Sequence, residues 1–318
     1  MLLNENIFIK MNELGSFRTP FFFLINFEKT QGFVIPLDEL TDEFQFRFNE
    51  IHDYKSPEFS LQKSPISFEC YQKQFKNVHK NILLGNSYLT NLTCETPIEI
   101  NLSLDEIFQF AQAKYKLLWK NHFVSFSPET FVKINQEKIY AYPMKGTIDA
   151  SIPNAEQTIL NDQKEMAEHY TIVDLIRNDL GKVAKKIEVS KFRFIDKIQT
   201  NDKTLLQVSS EIRGELPTNF HENLGSIFDK LLPAGSICGA PKQKTVEIIL
   251  ESETYDRNFY TGIFGVYDGE NLDSAVLIRF IEQNPDGLVF KSGGGITHQS
   301  DAKSEYLEMI QKVYVPIN

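Results

Sequence analysis

Short apolar bursts dominate the first 65 positions, as in Phe21-Phe22-Phe23-Leu24-Ile25 and Phe44-Gln45-Phe46-Arg47-Phe48, each bounded by turn-prone residues. A period of two fits a sheet, because a helix would scatter those residues around its circumference. The region therefore reads as strands. From Glu69 to Leu84 the apolar spacing becomes helical, and Gly85-Asn86 then leads into the alternating stretch Tyr88–Thr93. Further strands are expected at Phe123–Ser127, Phe131–Asn135, Lys138–Pro143, Ile187–Phe194 and Val208–Gly214, and helices near Leu104–Leu118, Asp162–Leu180 and Lys242–Glu251. No internal repeat, low-complexity stretch or Pro/Gly/Ser-rich linker divides the chain. One α+β unit built on large sheets is expected, with residues 1–65 a strand-rich segment packed on the same unit as residues 66–318.

The chain has 318 residues, 42% of them hydrophobic, enough for a large core. It contains no run of about 18 apolar residues, and Met1–Gly15 lacks the basic-then-apolar plan of a secretory signal. Neither membrane nor export is indicated, and a cytoplasmic protein is expected. Cys70, Cys94 and Cys238 are scattered and without metal-ligand spacing, which argues against a disulfide framework or a zinc site. A formal charge of −10 argues against nucleic-acid partners, since such binding needs clustered Lys and Arg. An anionic small substrate would need local cationic help.

Four segments carry motif-like spacing. Lys145, in Pro143-Met144-Lys145-Gly146-Thr147, closes an expected strand, where a lysine is ordinarily solvated. The adjacent Gly146 would let a ligand approach closely, and partial burial or a neighbouring cation would free the amine. Asp162 followed by Glu165 has the form of a helix start, which accounts for Glu165 but not for Glu168 one turn further on. Gly181 can supply a left-handed stop to that helix. In the last helix Tyr306, Met309, Ile310 and Val313 form an apolar stripe, leaving Glu305, Glu308 and Lys312 on another face. That face reads equally as a solvated one with an i,i+4 ion pair. Ser292-Gly293-Gly294-Gly295-Ile296 precedes it, either a plain turn or a loop whose backbone N–H groups face an anion. Carboxylates on two helices would suit Mg²⁺, which takes one or two of them, keeps waters and bridges to an anionic substrate.

Together and in this order, these segments resemble the chorismate-utilising enzymes, the family of aminodeoxychorismate synthase component I, anthranilate synthase component I, isochorismate synthase and salicylate synthase. The similarity spans about Tyr71 to Val313. It is strongest in Pro143–Thr147, in Ala167–His169 with Ile172–Gly181, in Gly235-Ser236-Ile237-Cys238-Gly239-Ala240-Pro241-Lys242, and in Gly293–Ile296. The resemblance implies antiparallel sheets in a sandwich flanked by helices, with residues 66–318 as the chorismate-binding catalytic region. It implies Mg²⁺ on Glu168 and Glu308, with Glu165 and Glu305 nearby or bound through water. Arg279 and Tyr260 then match positions that bind the enolpyruvyl carboxylate. Lys312, Gly293, Gly294 and Gly295 surround the ring carboxylate, beside Gly146 and Thr147.

Glu129 matches the acid that protonates the departing C4 hydroxyl, and Lys145 matches the nucleophilic lysine of aminodeoxychorismate synthases. The position of the water-activating lysine in isochorismate and salicylate synthases is Leu89 here, which cannot act as a base. The implied activity is amination of chorismate to 4-amino-4-deoxychorismate, in para-aminobenzoate and folate biosynthesis. Ammonia would come from a glutamine amidotransferase partner, since the chain has no cysteine-centred glutaminase motif. Anthranilate synthase component I and a chorismate-binding protein without turnover are the alternatives. Two positions depart from the pattern: Gln207 where histidine is common, and Cys238 where threonine is usual.

Overall fold

The computed structural model describes residues 2–50, 57–199 and 204–317. Two antiparallel sheets lie face to face, and helices cover their outer sides. In the first sheet, Phe21–Ile25 runs between Gln31–Pro36 and Ile263–Tyr267, followed by Leu272–Val276, Thr130–Asn135, Lys138–Ala141 and Thr204–Glu215. Thr204–Glu215 pairs with Met144–Asp149 over residues 205–209 and with the long strand Lys185–Gln199 along its whole length. The second sheet is centred on Leu89–Ile100, Gly287–Ile296, Phe280–Asn284, Phe123–Ser127 and Tyr115–Trp119, with Phe44–Phe48 at its far edge.

Both faces of the Phe21–Ile25 strand are buried, which is why its five residues are all apolar. Alternate side chains serve different layers. Phe22 and Leu24 enter the core between the sheets with Phe44, Leu117, Phe123 and Phe280. Phe21, Phe23 and Ile25 turn outward to Met11, Leu224 and Phe228 of the covering helices. Each such aromatic ring, fully buried, contributes roughly 1.5–3 kcal/mol of hydrophobic free energy.

The outer face of the second sheet is covered by helices Phe68–Leu83, Lys242–Ser252 and Ala302–Gln311 around Leu92, Cys94 and Ile296. Phe68–Leu83 shows how the sequence specifies such a helix. Ser67 caps it by accepting from the Cys70 N–H, Tyr71, Gln74, Phe75, Val78 and Ile82 form its buried stripe, and Gly85 at φ +77° turns the chain out of it.

Several expectations are corrected. Asn4–Ser16 is a helix rather than a strand, with Ile7, Phe8, Met11 and Leu14 on its buried side. The strand reading of the first 65 residues holds at Phe21–Ile25, Gln31–Pro36 and Phe44–Phe48, while 51–56 lie outside the described residues. The helix expected over Leu104–Leu118 stops at Phe110, and Tyr115–Trp119 is a strand between Phe44–Phe48 and Phe123–Ser127. A short apolar run buried on both faces has no period to distinguish the two. Gly181 ends its helix in the right-handed region, at φ −61°, so no left-handed stop forms there. None of the described helices is long and apolar enough to cross a membrane.

Candidate active site

Met144–Asp149 is an edge strand, and its register against Thr204–Glu215 slips between Lys145 and Thr147. Gly146, at φ +77°, supplies the bulge, a conformation that costs glycine nothing and re-aims the neighbouring side chain. Lys145 is half-buried there, its Nζ 3.7 Å from Glu168 Oε2. The neighbouring charge is thus a carboxylate rather than the cation considered from sequence. Glu168 belongs to the helix Gln163–Leu180, which begins as expected with Asp162 accepting from the Glu165 N–H. A Cβ placed on Gly146 would come 3.2 Å from Glu165 Oε2, so this helix presents Glu165 to the Gly146 backbone and Glu168 to the Lys145 amine. Thr147 is exposed, and Gln207, its register partner, donates to Thr147 Oγ1 across 3.5 Å.

The glycine run is not a loop. Gly293, Gly294 and Gly295 are strand residues paired with Thr93, Leu92 and Asn91. On their other side, pairing with Phe280–Asn284 ends at Lys291, so the strand continues past its neighbour along the site. Each glycine answers a different neighbour. A Cβ on Gly293 would fall 2.2 Å from the Leu92 carbonyl oxygen, which no side chain tolerates. One on Gly294 would meet Glu305 Oε2, Lys312 Nζ and Glu308 Oε1 at 3.4, 3.6 and 3.7 Å. One on Gly295 would lie 2.9 Å from Leu89 Cδ1 and 3.9 Å from Lys145 Nζ. Lys312 bridges the two elements, donating to the Gly293 carbonyl at 2.9 Å and pairing with Glu308 at 2.7 Å. Ser300 donates to Glu305 Oε1 at 2.7 Å.

Glu129 follows the strand Phe123–Ser127, its N–H donating to Ser127 Oγ. Burial raises the pKa of its carboxyl, opposed by a hydrogen bond from Ser236 and by the charges of Lys145 and Arg279. Lys145 and Arg279 therefore both act on Glu129. Arg279 holds φ +53°, unusual for a non-glycine residue, and its guanidinium lies over the Tyr314 ring at 5.5 Å. Tyr260 is buried against Phe280, and desolvation pushes its hydroxyl well above the usual range, so it remains a neutral donor.

These distances gather Lys145, Gly146, Glu165, Glu168, Gly293–Gly295, Glu305, Glu308 and Lys312 along one glycine strand. The carboxylates are hard oxygen donors, and the side-chain-free space at Gly294 is the kind of cradle a metal with its waters would use. Among the described residues no three His, Cys, Asp or Glu side chains gather closely enough to hold a metal by themselves. A donor set of one or two carboxylates completed by water and substrate oxygens fits Mg²⁺ and excludes a closed protein cage.

Sequence reasoning gave no role to His169 or Ser236. His169 Nε2 lies 2.7 Å from Ser210 Oγ, and the Ser210 N–H donates to the Pro143 carbonyl, tying the Glu168 helix to the Lys145 strand. Burial lowers the His169 pKa to about 4, so the ring is neutral. A histidine beside Glu168 was the available signal. Cys238 is fully buried, its N–H bonded to the Ala234 carbonyl.

The sequence and the fold match one class of protein. The family model for chorismate binding enzymes covers residues 37–318, and the chain belongs to that family. It is 52% identical to an uncharacterised PabA-like protein of Pasteurella multocida, over 96% of this chain and 97% of that one. It is 29% identical to aminodeoxychorismate synthase component 1 of Klebsiella aerogenes, over 80% of this chain and 58% of the relative. An anthranilate synthase component 1 of Haloarcula marismortui is 35% identical over 61% of this chain and 40% of its own length. The solved menaquinone-specific isochorismate synthase of Escherichia coli shares the fold, with TM-score 0.73 at 14% identity, over 97% of this chain and 80% of that one.

Proposed function

We propose that this chorismate-utilising enzyme is an aminodeoxychorismate synthase, converting chorismate and ammonia to 4-amino-4-deoxychorismate. The observation that carries the reading is the pairing at Gly295, where the Lys145 amine and the apolar Leu89 border the same glycine. A nucleophile is present, and the neighbouring side chain cannot activate water. Lys145, as its free amine, attacks C2, both conjugated ring double bonds shift, and the C4 hydroxyl departs as water with a proton from Glu129, leaving a secondary ammonium on C2. Ammonia then adds at C4 as an ammonium, both double bonds return, and Lys145 leaves C2 as the neutral amine. The raised Glu129 pKa suits a carboxyl that must be protonated near neutral pH.

Glu168 and Glu308 would hold Mg²⁺, with Glu165 and Glu305 beside them, and the ion would neutralise the ring carboxylate and fix its position. Lys312 and the Gly293–Gly295 backbone face that carboxylate, with Gly146 and Thr147 beside them, while Arg279 and Tyr260 take the enolpyruvyl carboxylate. The ammonia comes from a separate glutamine amidotransferase, in the cytoplasm, for para-aminobenzoate and folate synthesis.

Incubation of purified protein with chorismate, Mg²⁺ and ammonium, with products identified by mass, tests this. A product retaining enolpyruvate and carrying an amine supports it. Anthranilate with free pyruvate would make the chain an anthranilate synthase component I, and binding without turnover would make it a chorismate-binding protein only.

A further inference from the structure

The turn Gly235–Cys238 takes no part in the reaction described above, yet it is clamped on several sides. Asp179 is buried and paired with Lys242 at 2.7 Å and Lys182 at 2.8 Å. It leaves no room at Gly235, where a Cβ would fall 2.8 Å from Asp179 Oδ2. Asn91 Nδ2 and Arg257 Nη1 both donate to the Ile237 carbonyl, at 3.0 and 3.1 Å. Arg257 is itself fixed by a fully buried pair with Glu253. This clamping holds Ser236, whose hydroxyl donates to Glu129 Oε1 at 2.5 Å. Beneath the two side chains lies a cavity of ≈ 30 Å³, lined by Glu129, Ser236 and Asp179 and by apolar residues such as Ile176 and Leu180. The carboxyl thus stands over a mostly apolar void, with Ser236 as its fixed polar contact.

We propose that Ser236 is the positioning residue of Glu129, engaging Oε1 so that the transferable proton resides on Oε2. Which oxygen of a carboxylic acid carries its proton is otherwise open, and an acid that must meet a single leaving oxygen benefits from having that choice made in advance. The inference rests on Glu129 being the proton donor. It also gives a task to Asp179 and Lys242, which hold the turn without touching substrate.

The hydroxyl stabilises the charged carboxylate while burial disfavours it, so removing the hydroxyl leaves burial less opposed. In enzyme labelled with [δ-¹³C]glutamate, the Glu129 resonance is assigned by its absence from Glu129→Gln and titrated in each variant. In Ser236→Ala the titration moves to higher pH and kcat for amination falls while the chorismate KM holds; Ser236→Thr, keeping the hydroxyl, restores both. If Ser236→Ala does not fold, Ser236→Cys, a weaker donor of similar size, is measured for the same upward shift. A Glu129 titration unmoved or lowered in the folded variant overturns the inference alone. An alkaline limb of wild-type kcat/KM that does not follow the Glu129 titration overturns the proton-donor role, and this inference with it.

Discussion

Gly294→Ala separates the fold of this protein from its chemistry. The added methyl would sit 3.4 Å from Glu305 Oε2, 3.6 Å from Lys312 Nζ and 3.7 Å from Glu308 Oε1, all ordinary contacts with the ends of flexible side chains. The backbone there is extended strand, so alanine is conformationally allowed. Replacing glycine at such a site stabilises by about 0.4–1 kcal/mol through the unfolded chain, raising Tm by roughly 0.5–1.5 °C in a protein of this size. Function should move the other way. If that space holds substrate and metal oxygens, the methyl displaces them by on the order of 1 Å, and a misplacement of that size costs about 100-fold in rate. Thermal melts, calorimetric titration with Mg²⁺ and chorismate, and kcat/KM for amination report the two effects separately. Gly293→Ala is the contrasting control, since its Cβ would fall 2.2 Å from the Leu92 carbonyl and the strand pair cannot form. A Gly294→Ala enzyme with unchanged kcat/KM would refute the idea that the gap between Glu305, Glu308 and Lys312 is filled during turnover. A variant that melts far below wild type would show the gap to be structural.

Lys145→Ala should reduce amination by on the order of 10³-fold or more while chorismate binding by calorimetry persists; a fully active variant removes the covalent step. Glu129→Gln should lose about 10²–10⁴-fold in kcat with little change in KM, measured by product formation at several pH values. The His169 imidazole titrates at about 4 against an ordinary 6.5, so between those values the unfolded chain binds a proton that the folded chain refuses. Stability is therefore lost as pH falls through that window, by up to about 3 kcal/mol for this residue. Urea midpoints at pH 7.5 and 4.5 should differ less in His169→Gln than in wild type, and equal differences would contradict the assignment. Arg257→Ala strands the buried Glu253 carboxylate and should cost about 3–5 kcal/mol, lowering Tm by roughly 5–7 °C. A melt within two or three degrees of wild type would show the pair to be dispensable.

Long elements with a strong period were legible in the residues themselves. Glu69–Leu84 was expected and Phe68–Leu83 found, and the Asp162 cap located the start of the Glu168 helix correctly. Legibility failed where two-sided burial erased the period, as at Tyr115–Trp119, and where a helical stripe was blurred by an exposed apolar residue, as by Ile9 in Asn4–Ser16. The glycines of 293–295 were recognised as ligand-facing candidates but read as a loop, because their pairing partner lies about two hundred positions earlier and local spacing carries no trace of it. The charged residues of the site were nameable from motif order. Their mutual distances, and the parts played by Ser236 and His169, depend on side chains brought together from separate elements and were not.

The sheet at the glycine floor joins Leu89–Ile100 to Gly287–Ile296, and the other sheet joins Phe21–Ile25 to Ile263–Tyr267. On the ribosome, the five apolar residues Phe21–Ile25 and the Leu89–Ile100 strand therefore emerge long before the segments that complete their sheets. Closure over such sequence distances is slow, and the waiting strands offer open edges to other nascent copies. A prematurely terminated product would leave neither layer closed and would be a substrate for chaperones and proteases rather than a smaller catalyst.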